Sequence, residues 1–311
     1  MEKVKILVTG ATGFVGRNVI DELRREGREC IALIRNKQKA EKIWGKNIEL
    51  RIADLRDRGT VFSAFKGVDV VVHIAGLIKT SKNSEFYSSN VTGAENVAWA
   101  SSLCNVRKII YVSSLSVQNP ISHYGKSKLL SEKKLLQHKD QLKISILRPA
   151  IVYGPYDEGM YSYFKMAKRG MIPILRKERH ISLVYVKDVA RTINLLIDRD
   201  NPKPEVFQLS DNHIYTWEYA AHTLFNSMNV DGKILRFPEF SPYVFAYSSN
   251  IFSKIFKYEP ILTIDKMREF MQKKWICNSS RLFLKTGFIP SYTIEKGFKE
   301  TAQWYIENDW L

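Results

Sequence analysis

The sequence predicts an α/β protein, with a doubly wound parallel sheet and a smaller, mostly C-terminal lobe. Short apolar segments alternate with segments of helical periodicity over the first 149 residues. This alternation is typical of a parallel sheet covered by helices on both faces. The first apolar segment, Lys5–Thr9, also leads directly into Gly10, Gly13 and Gly16 and then into a helical segment. A strand, a glycine-rich turn and a helix in this order are typical of a dinucleotide-binding sheet.

The remaining elements follow in the same rhythm as far as Pro149. Predicted strands lie at Lys5–Thr9, Glu29–Ile34, 48–52, 68–74, 108–113 and 143–147, and helices at 13–26, 60–65, 90–102 and 123–138. Beyond Pro149 we expect a helix at 161–169, a strand at 181–186 and a helix from Asp188, followed by short elements rich in aromatic residues. We therefore predict a Rossmann domain at 1–160, with strand and helix 181–198 returning to it, and a substrate-binding lobe at 161–311.

The composition is that of a globular protein with a basic surface. The chain of 311 residues is 45% hydrophobic and carries a formal net charge of +16, which could attract nucleic acid, an anionic membrane or a phosphorylated small molecule. Its lysines and arginines are spread along the chain without a basic tail, so we expect no nucleic-acid partner. No apolar run reaches the length of about 18 residues that predicts a membrane span. Because the first strand is predicted to begin at about Val4, we expect no signal peptide.

The three cysteines are widely separated along the chain. Cys30, Cys104 and Cys277 have the spacing of neither a disulfide framework nor a metal site. We therefore expect reduced thiols, a cytoplasmic location and no bound metal.

The glycine turn is predicted to bind a pyrophosphate. Glycines allow the backbone to turn tightly and a phosphate to approach where a Cβ atom would collide. The helix that follows offers unpaired N–H groups and the positive end of its dipole to the anion. A glycine-rich turn without a ligand is the alternative interpretation.

Four polar residues complete the pattern. Ser113 and Ser114 follow the fifth apolar strand, at the end where ligands bind in parallel sheets. Tyr124 and Lys128 lie four residues apart and therefore on one face of a helix. An ordinary amphipathic helix is the alternative for this pair when it is considered in isolation.

Together these features resemble the extended branch of the short-chain dehydrogenase/reductase superfamily. That branch contains nucleotide-sugar epimerases and dehydratases, dihydroflavonol-type reductases and 3β-hydroxysteroid dehydrogenases. The resemblance covers nearly the whole chain and continues through segments 73–76, 90–93, 111–114, 147–149, 152–155 and 184–190.

The resemblance implies roles for individual residues. Tyr124 would be the general acid/base, Lys128 would lower its pKa and grip the nicotinamide ribose, and Ser114 would hold the substrate oxygen by a hydrogen bond. Ser113 is the neighbour most easily confused with Ser114. The cofactor-binding positions would be Gly10, Thr12, Gly13, Phe14, Val15, Gly16, Asp54, Leu55, Ala75, Gly76, Tyr124, Lys128 and Pro149. Asp54 is open to a second interpretation, the N-cap of a helix.

The end of the second strand bears on the choice between NAD and NADP. An acidic residue there would bind the ribose 2′-hydroxyl of NAD, but this chain has Arg35, nineteen residues after Gly16. A guanidinium pairs well with a phosphate, so the sequence favours NADP over NAD. A surface arginine in a basic protein is the alternative.

The substrate is a small molecule whose class the sequence leaves open. A diphosphate could be bound by basic residues of the second lobe, namely Lys165, Lys168, Arg169, Arg176, Lys177 and Arg179, unless these form a solvated basic face. Segment 175–180 replaces the Gly-x-Gly loop that the family commonly has there. Segment 243–258 is apolar and aromatic. It predicts a buried helix, a lid over an apolar substrate or a weak contact with a membrane surface.

The leading hypothesis is an NAD(P)-dependent oxidoreductase or epimerase acting on a carbonyl or secondary alcohol. The alternative is a non-catalytic NAD(P)-binding redox sensor or assembly factor, and Ser114, Tyr124 and Lys128 favour the enzyme. Family resemblance further implies a homodimer formed through the helices at 90–102 and 123–138.

Overall fold

The computed structural model describes residues 4–244 and 264–311. Its strands are β1 (Lys5–Thr9), β2 (Glu29–Ile34), β3 (Glu49–Ile52), β4 (Val70–His73), β5 (Lys108–Val112), β6 (Lys143–Pro149), β7 (Ile151–Tyr153), β8 (Met171–Leu175), β9 (His180–Ile181), β10 (Leu183–Tyr185), β11 (Glu205–Leu209), β12 (Tyr215–Thr216), β13 (Lys233–Phe237) and β14 (Lys274–Trp275). Its helices are α1 (Phe14–Arg25), α2 (Lys37–Trp44), α3 (Arg58–Phe65), α4 (Asn83–Phe86), α5 (Thr92–Leu103), α6 (His123–Leu136), α7 (Glu158–Lys168), α8 (Val186–Asp198), α9 (Trp217–Ser227), α10 (Ile264–Phe270), α11 (Ser280–Thr286) and α12 (Ile294–Glu307). A π-helical turn, Tyr87–Val91, precedes α5, and a 3-10 helix, Leu115–Gln118, follows β5.

The chain divides into two units. Unit 1 comprises the chain up to Ile78 together with Lys82–Arg148 and Val189–Gln208, and unit 2 comprises Lys79–Ser81, Pro149–Asp188 and the chain from Leu209 onward. The division falls after Arg148, whereas the sequence suggested a boundary at residue 160. That unit 2 is the substrate-binding lobe remains a proposal.

Unit 1 is built on a seven-stranded sheet with the strand order β11-β6-β5-β4-β1-β2-β3. The pairs from β3 through β6 are parallel, and every residue of β4 and β5 is buried, as expected for strands covered on both faces. The predicted fold class, a doubly wound parallel sheet, is confirmed. The carboxyl ends of the parallel strands lie at one edge, which gathers the segments after β1, β4 and β5 there.

The seventh strand of the large sheet, β11, was not predicted from the sequence. Strand and helix 181–198 were expected to return to the sheet domain, but β10 pairs instead with β7 in a two-stranded parallel sheet of unit 2. From that segment only the part of α8 beginning at Val189 belongs to unit 1, and β11 then fills the sheet edge. In β11 only Phe207 and Leu209 are buried. Such a short alternating strand lacks the continuous apolar run that marks a central parallel strand.

Unit 2 has its own aromatic core. Phe164 of α7 and Tyr305 of α12 pack edge to face with ring centroids 5.0 Å apart, and Tyr153 of β7 packs similarly on Phe298 at 4.9 Å. Apart from Tyr243 and Val244, which are exposed, segment 243–258 lies outside the described residues. Among the described helices, none has the length and apolarity that crossing a membrane requires.

Candidate active site

The glycine turn connects β1 to α1 with a backbone that side chains would disrupt. Gly10 has a φ of +68°, and a Cβ atom on it would lie 2.7 Å from the Ala75 backbone nitrogen. A Cβ on Gly16 would lie 2.2 Å from the Gly10 carbonyl oxygen. Gly13 is the N-cap of α1 and, having no side chain, makes no side-chain capping hydrogen bond. The first turn of α1 is thus arranged as a pyrophosphate-binding turn requires, with Thr12, Phe14 and Val15 in the same segment.

The end of β4 is fixed against this turn by Thr9. The Thr9 hydroxyl accepts hydrogen bonds from the backbone N–H groups of Ile74 and Ala75, at 3.2 and 3.1 Å. Its own proton is therefore donated to His73 Nδ1, 2.8 Å away, which leaves the His73 proton on Nε2. Burial, followed by the charge of Lys128, lowers the pKa of His73 to about 3. His73 is consequently a neutral structural residue that places Ala75 beside Gly10.

Asn90 fixes the segment that follows Gly76. It lies in the π-helical turn before α5 and is 2% exposed. Its side chain accepts from the Leu77 backbone N–H at 2.6 Å and donates to the Leu77 carbonyl at 3.0 Å and to Ser127 Oγ of α6 at 2.9 Å. A single turn of π-helix is frequently found at functional sites. Here it links the loop after β4 to the helix that carries Tyr124.

The two serines after β5 have different surroundings. Ser113 is buried and donates to Glu132 Oε1 at 2.5 Å. Ser114 is partly exposed, and its hydroxyl accepts from the backbone N–H of Ser116 at 3.2 Å and lies 2.9 Å from Ser116 Oγ. Ser114 is thus the more accessible of the two hydroxyl groups at this strand end.

Tyr124 and Lys128 lie on the first two turns of α6, whose N-cap Ser122 accepts from the Gly125 backbone N–H at 2.8 Å. Tyr124 is partly buried, whereas Lys128 is only 3% exposed. Lys128 Nζ donates to the Val112 carbonyl at 2.7 Å and lies 4.2 Å from the centre of the Tyr111 ring. Burial lowers the pKa of Lys128 to about 7, and the negative charge of Glu132 opposes this shift.

Gly76 lies close to this lysine. A Cβ atom built on Gly76 would lie 3.7 Å from Lys128 Nζ and 3.4 Å from Asn90 Oδ1. The structure therefore brings Gly76, Asn90 and Lys128 to one place at the carboxyl edge of the sheet. Pro149 is the final residue of β6.

Arg35 and Asp54 follow the neighbouring strands β2 and β3. Arg35 is exposed. The Arg56 side chain, first through its hydrogen bond and then through its charge, lowers the pKa of Asp54 to about 2, with a smaller contribution from Arg35. The alternative interpretation of Asp54 as a helix N-cap does not apply to α3, because Asp57 caps that helix by accepting from the Gly59 backbone N–H at 2.9 Å. Leu55 contributes its carbonyl to the Asn96 side chain at 2.8 Å.

Sequence analysis missed Arg56. Its guanidinium lies 2.5 Å from Asp54 Oδ2, and its side chain is 55% exposed. It adds a second positive charge at the end of β3. The sequence signal that could have identified Arg56 is its position, two residues after Asp54.

Unit 2 contains a cavity of about 170 Å³ between β8, α9 and the segment before β9. Three of the six basic residues singled out in the sequence line it, namely Arg176, Lys177 and Arg179, together with Arg236, which sequence analysis missed. Lys165, Lys168 and Arg169 are not among the lining residues. Arg179 is 4% exposed and forms an ion pair with Glu239, but its Nε atom has no hydrogen-bond partner among the residues that the structure describes. Trp217 and Tyr163 stack in the wall with ring centroids 5.7 Å apart.

A protein-family model for the NAD dependent epimerase/dehydratase family matches residues 6–210. The chain belongs to this family. The match spans β1 through β11 and includes the glycine turn, Ser114, Tyr124 and Lys128. The resemblance predicted from the sequence is confirmed.

Characterised relatives of the chain include both reductases and epimerases. Ceramide reductase of Caulobacter vibrioides is 27% identical over 98% of this chain and 96% of its own length. UDP-glucose 4-epimerase of Vibrio cholerae is 26% identical over 97% of this chain and 95% of its own length. The chain is therefore an NAD-dependent enzyme of the epimerase/dehydratase or reductase type.

The fold is shared with a solved epimerase. The crystal structure of UDP-glucose 4-epimerase with UDP-glucose from Thermotoga maritima is 22% identical, covers 98% of this chain and 99% of its own, and superimposes with a TM-score of 0.80. This likeness confirms the fold.

Proposed function

We propose that this enzyme catalyses hydride transfer between a nicotinamide cofactor and a carbonyl or secondary alcohol, with Tyr124 as the general acid/base. The observation that carries the proposal is the buried amine of Lys128, one helical turn from Tyr124, at the carboxyl end of β5. A nearby ammonium favours the phenolate and so lowers the pKa of a tyrosine toward neutrality. When alcohol is oxidised, Tyr124 Oη accepts the hydroxyl proton; when a carbonyl is reduced, it donates a proton to the forming alkoxide.

Ser114 and Lys128 support this proton transfer. The partly exposed Ser114 hydroxyl would donate a hydrogen bond to the substrate oxygen and stabilise the charge that develops there. Lys128 remains anchored to the Val112 carbonyl at 2.7 Å. Its remaining N–H groups would hold Tyr124 and the cofactor ribose in place.

The residues of unit 1 fit a dinucleotide. Gly10, Gly13 and Gly16 leave the space that side chains would fill, and the uncapped first turn of α1 would bind the pyrophosphate. Asp54 and Leu55 would contact the adenine end, and Ala75 and Gly76 would flank the ribose that joins the nicotinamide. When bound, the nicotinamide supplies the hydride acceptor or donor.

We propose NADP(H) rather than NAD(H) as the preferred form. Arg35 is exposed at the end of β2, whereas the nearby Arg56 is paired with Asp54 at the end of β3. The Arg35 guanidinium would favour a 2′-phosphate, which an NAD ribose lacks.

We propose that the unit 2 cavity binds an anionic part of the substrate. The Nε atom of buried Arg179 supports this, because it has no acceptor within 4–244 and 264–311, and a buried donor without an acceptor costs free energy that an anion would recover. Binding of UDP and of inorganic phosphate, measured by calorimetry, tests the proposal. Arg179→Met should weaken binding at least ~10-fold, while Arg169→Met, outside the cavity, should not. Equal affinities for both variants would contradict it.

Analysis of the purified protein tests whether it works as an epimerase or a reductase. A retained dinucleotide that survives dialysis would favour an epimerase or dehydratase, which regenerates its cofactor within each cycle. A freely exchanging NADP(H) that is consumed with a carbonyl substrate would favour a reductase. Absence of any dinucleotide-dependent turnover of nucleotide sugars, sterols or lipid ketones would contradict the proposed function.

We also propose a cytoplasmic enzyme that forms a homodimer through α5 and α6. Cys30, Cys104 and Cys277 are unpaired, as in a reducing compartment. Leu103 and Leu130 are exposed on α5 and α6, at 55% and 40%. Sedimentation of the protein and of a Leu130→Glu variant tests the dimer. A weak membrane-surface contact through 243–258 stays a proposal; unchanged vesicle binding after its deletion would exclude it.

A further inference from the structure

Glu132 is a buried carboxylate whose two oxygens are both bound. It is 2% exposed. Oε1 accepts from Ser113 Oγ at 2.5 Å and from Arg148 Nε at 2.9 Å, and Oε2 accepts from Arg148 Nη2 at 2.5 Å. The bidentate arginine and the serine fix the orientation of this carboxylate.

The position of Glu132 connects it to the proposed active site. It lies one helical turn beyond Lys128 and two turns beyond Tyr124, so all three residues share one face of α6. Its partner Ser113 directly follows Val112, whose carbonyl accepts the hydrogen bond from Lys128 Nζ. The same strand end therefore holds both the lysine and the glutamate.

The other groups that the described part of the chain places around Lys128 carry no negative charge. His73 of β4 is neutral at physiological pH because burial lowers its pKa to about 3, and Tyr111 of β5 presents its ring face at 4.2 Å. Tyr124 precedes Lys128 on α6, and Arg148 of β6 is positive. Glu132 thus opposes the effect of burial, which by itself favours the neutral amine of Lys128.

We propose that Glu132 is a positioning residue that keeps Lys128 in its ammonium form beside Tyr124, and that Arg148 and Ser113 hold Glu132 for this purpose. The inference rests on the proposed function. Without the carboxylate, Lys128 would lose its proton below neutral pH, and Tyr124 would lose the charge that stabilises its phenolate.

The proposal predicts that substitutions of Glu132 and of Arg148 shift the pKa of Lys128 in opposite directions. Glu132→Gln removes the negative charge and leaves Arg148 unpaired, so the pKa of Lys128 should fall. Arg148→Gln removes a positive charge and leaves the carboxylate, so the pKa of Lys128 should rise. A general loosening of the fold would instead move the pKa of Lys128 toward its ordinary value in both variants.

NMR titration of protein labelled with [ε-13C]lysine measures this pKa directly, with the Lys128 signal assigned by its absence in Lys128→Met. We expect a decrease of about one pH unit in Glu132→Gln and an increase in Arg148→Gln. Glu95→Gln is the matched control, because Glu95 of α5 forms an ion pair at 3.0 Å with Lys134, which lies on α6 like Lys128, and both side chains are 36% exposed. It should leave the Lys128 signal unchanged. If Glu132→Gln does not fold, the pKa of Lys128 in Arg148→Gln still tests the proposal, because the proposal requires that it increase.

An unchanged pKa of Lys128 in both variants, or shifts of the same sign, would overturn the inference. The titration requires no substrate, so its failure is distinguishable from failure of the proposed function. If the opposite shifts occur, the acid limb of the pH–rate profile for alcohol oxidation, which requires the Tyr124 phenolate, should move to higher pH in Glu132→Gln. If the pKa of Lys128 shifts as predicted but a Tyr124→Phe variant retains full turnover, the assignment of Tyr124 as the general acid/base would be overturned instead.

Discussion

Ser113 donates a buried hydrogen bond of 2.5 Å to Glu132, which commits its hydroxyl group to the interior. The adjacent Ser114 is partly exposed and bonds locally to Ser116. Two consecutive serines at the end of one strand thus have different surroundings: Ser113 joins the strand end to α6, and Ser114, under the proposed function, is left to bind the substrate oxygen.

Alanine variants of the two serines should therefore behave differently. Ser114→Ala should lower kcat/KM by about 100-fold, as loss of a hydrogen bond to a developing oxyanion does, with little change in unfolding free energy. Ser113→Ala should lower the unfolding free energy by about 1–2 kcal/mol, because it deprives a buried carboxylate of a donor. Steady-state kinetics and urea denaturation measure the two effects. The reverse pattern would assign the substrate contact to Ser113.

Gly16→Ala should impair the dinucleotide turn. The new Cβ would lie 2.2 Å from the Gly10 carbonyl oxygen, so the backbone of the turn must move. We expect dinucleotide affinity to fall by more than about 10-fold. Gly59→Ala on α3 is the matched control, since its Cβ would meet only the Asp57 side chain at 3.4 Å. That variant should be neutral or stabilised by about 0.5 kcal/mol. Normal cofactor binding by Gly16→Ala, measured by fluorescence titration, would argue against this turn as the phosphate site.

Arg35→Ala should change cofactor preference. Loss of a charge-assisted contact with a 2′-phosphate costs about 1.5–3 kcal/mol, so the Kd for NADPH should rise roughly 10- to 100-fold while the Kd for NADH stays nearly the same. Arg25→Ala is the control, because Arg25 is an exposed residue of α1 paired with Glu22. Calorimetric titration with both cofactors measures the ratio. Tighter binding of NADH by the unmodified protein would overturn the preference.

Lys128→Met should abolish activity yet stabilise the fold in a pH-dependent manner. Burial lowers the pKa of Lys128 from its ordinary value of 10.5 to about 7. Between these values the unfolded chain keeps a proton that the folded protein has released, so the stability of the unmodified protein rises as the pH increases from 7 to 10.5. Below pH 7 the cost of the buried charge is greatest.

The gain in unfolding free energy from Lys128→Met should therefore be about 1–2 kcal/mol below pH 7, after allowance for the unpaired Val112 carbonyl. It should shrink as the pH rises. Lys126→Met, an exposed neighbour on the same helix, should show no such trend. Urea denaturation across this pH range provides the measurement, and a gain that grows with pH would contradict the assigned charge state.

The sequence could predict those features that depend on neighbouring residues. The strand, glycine turn and helix from Lys5 to Arg25 follow one another directly, and Tyr124 and Lys128 share a face because they lie four residues apart on α6. Six of the seven strands of the large sheet were recognised because buried parallel strands have continuous apolar runs.

The missed features depend on contacts between distant segments. Strand β11 is short and alternates in burial, and its place at the sheet edge is set by β6, far away in the chain. Arg236 reaches the unit 2 cavity from β13, while Arg179 comes from the segment before β9. The Glu132–Arg148 pair joins α6 to β6 across sixteen positions. Spacing along the sequence carries no direct signal for such pairs.

The central claim is that Tyr124 transfers the proton that accompanies hydride transfer, and Tyr124→Phe tests it most directly. The variant loses only the phenolic hydroxyl group. With a substrate that the unmodified enzyme turns over, we predict that kcat falls by at least about 100-fold while the Kd for the nicotinamide cofactor changes less than about twofold. Turnover by Tyr124→Phe at the unmodified rate would contradict the account.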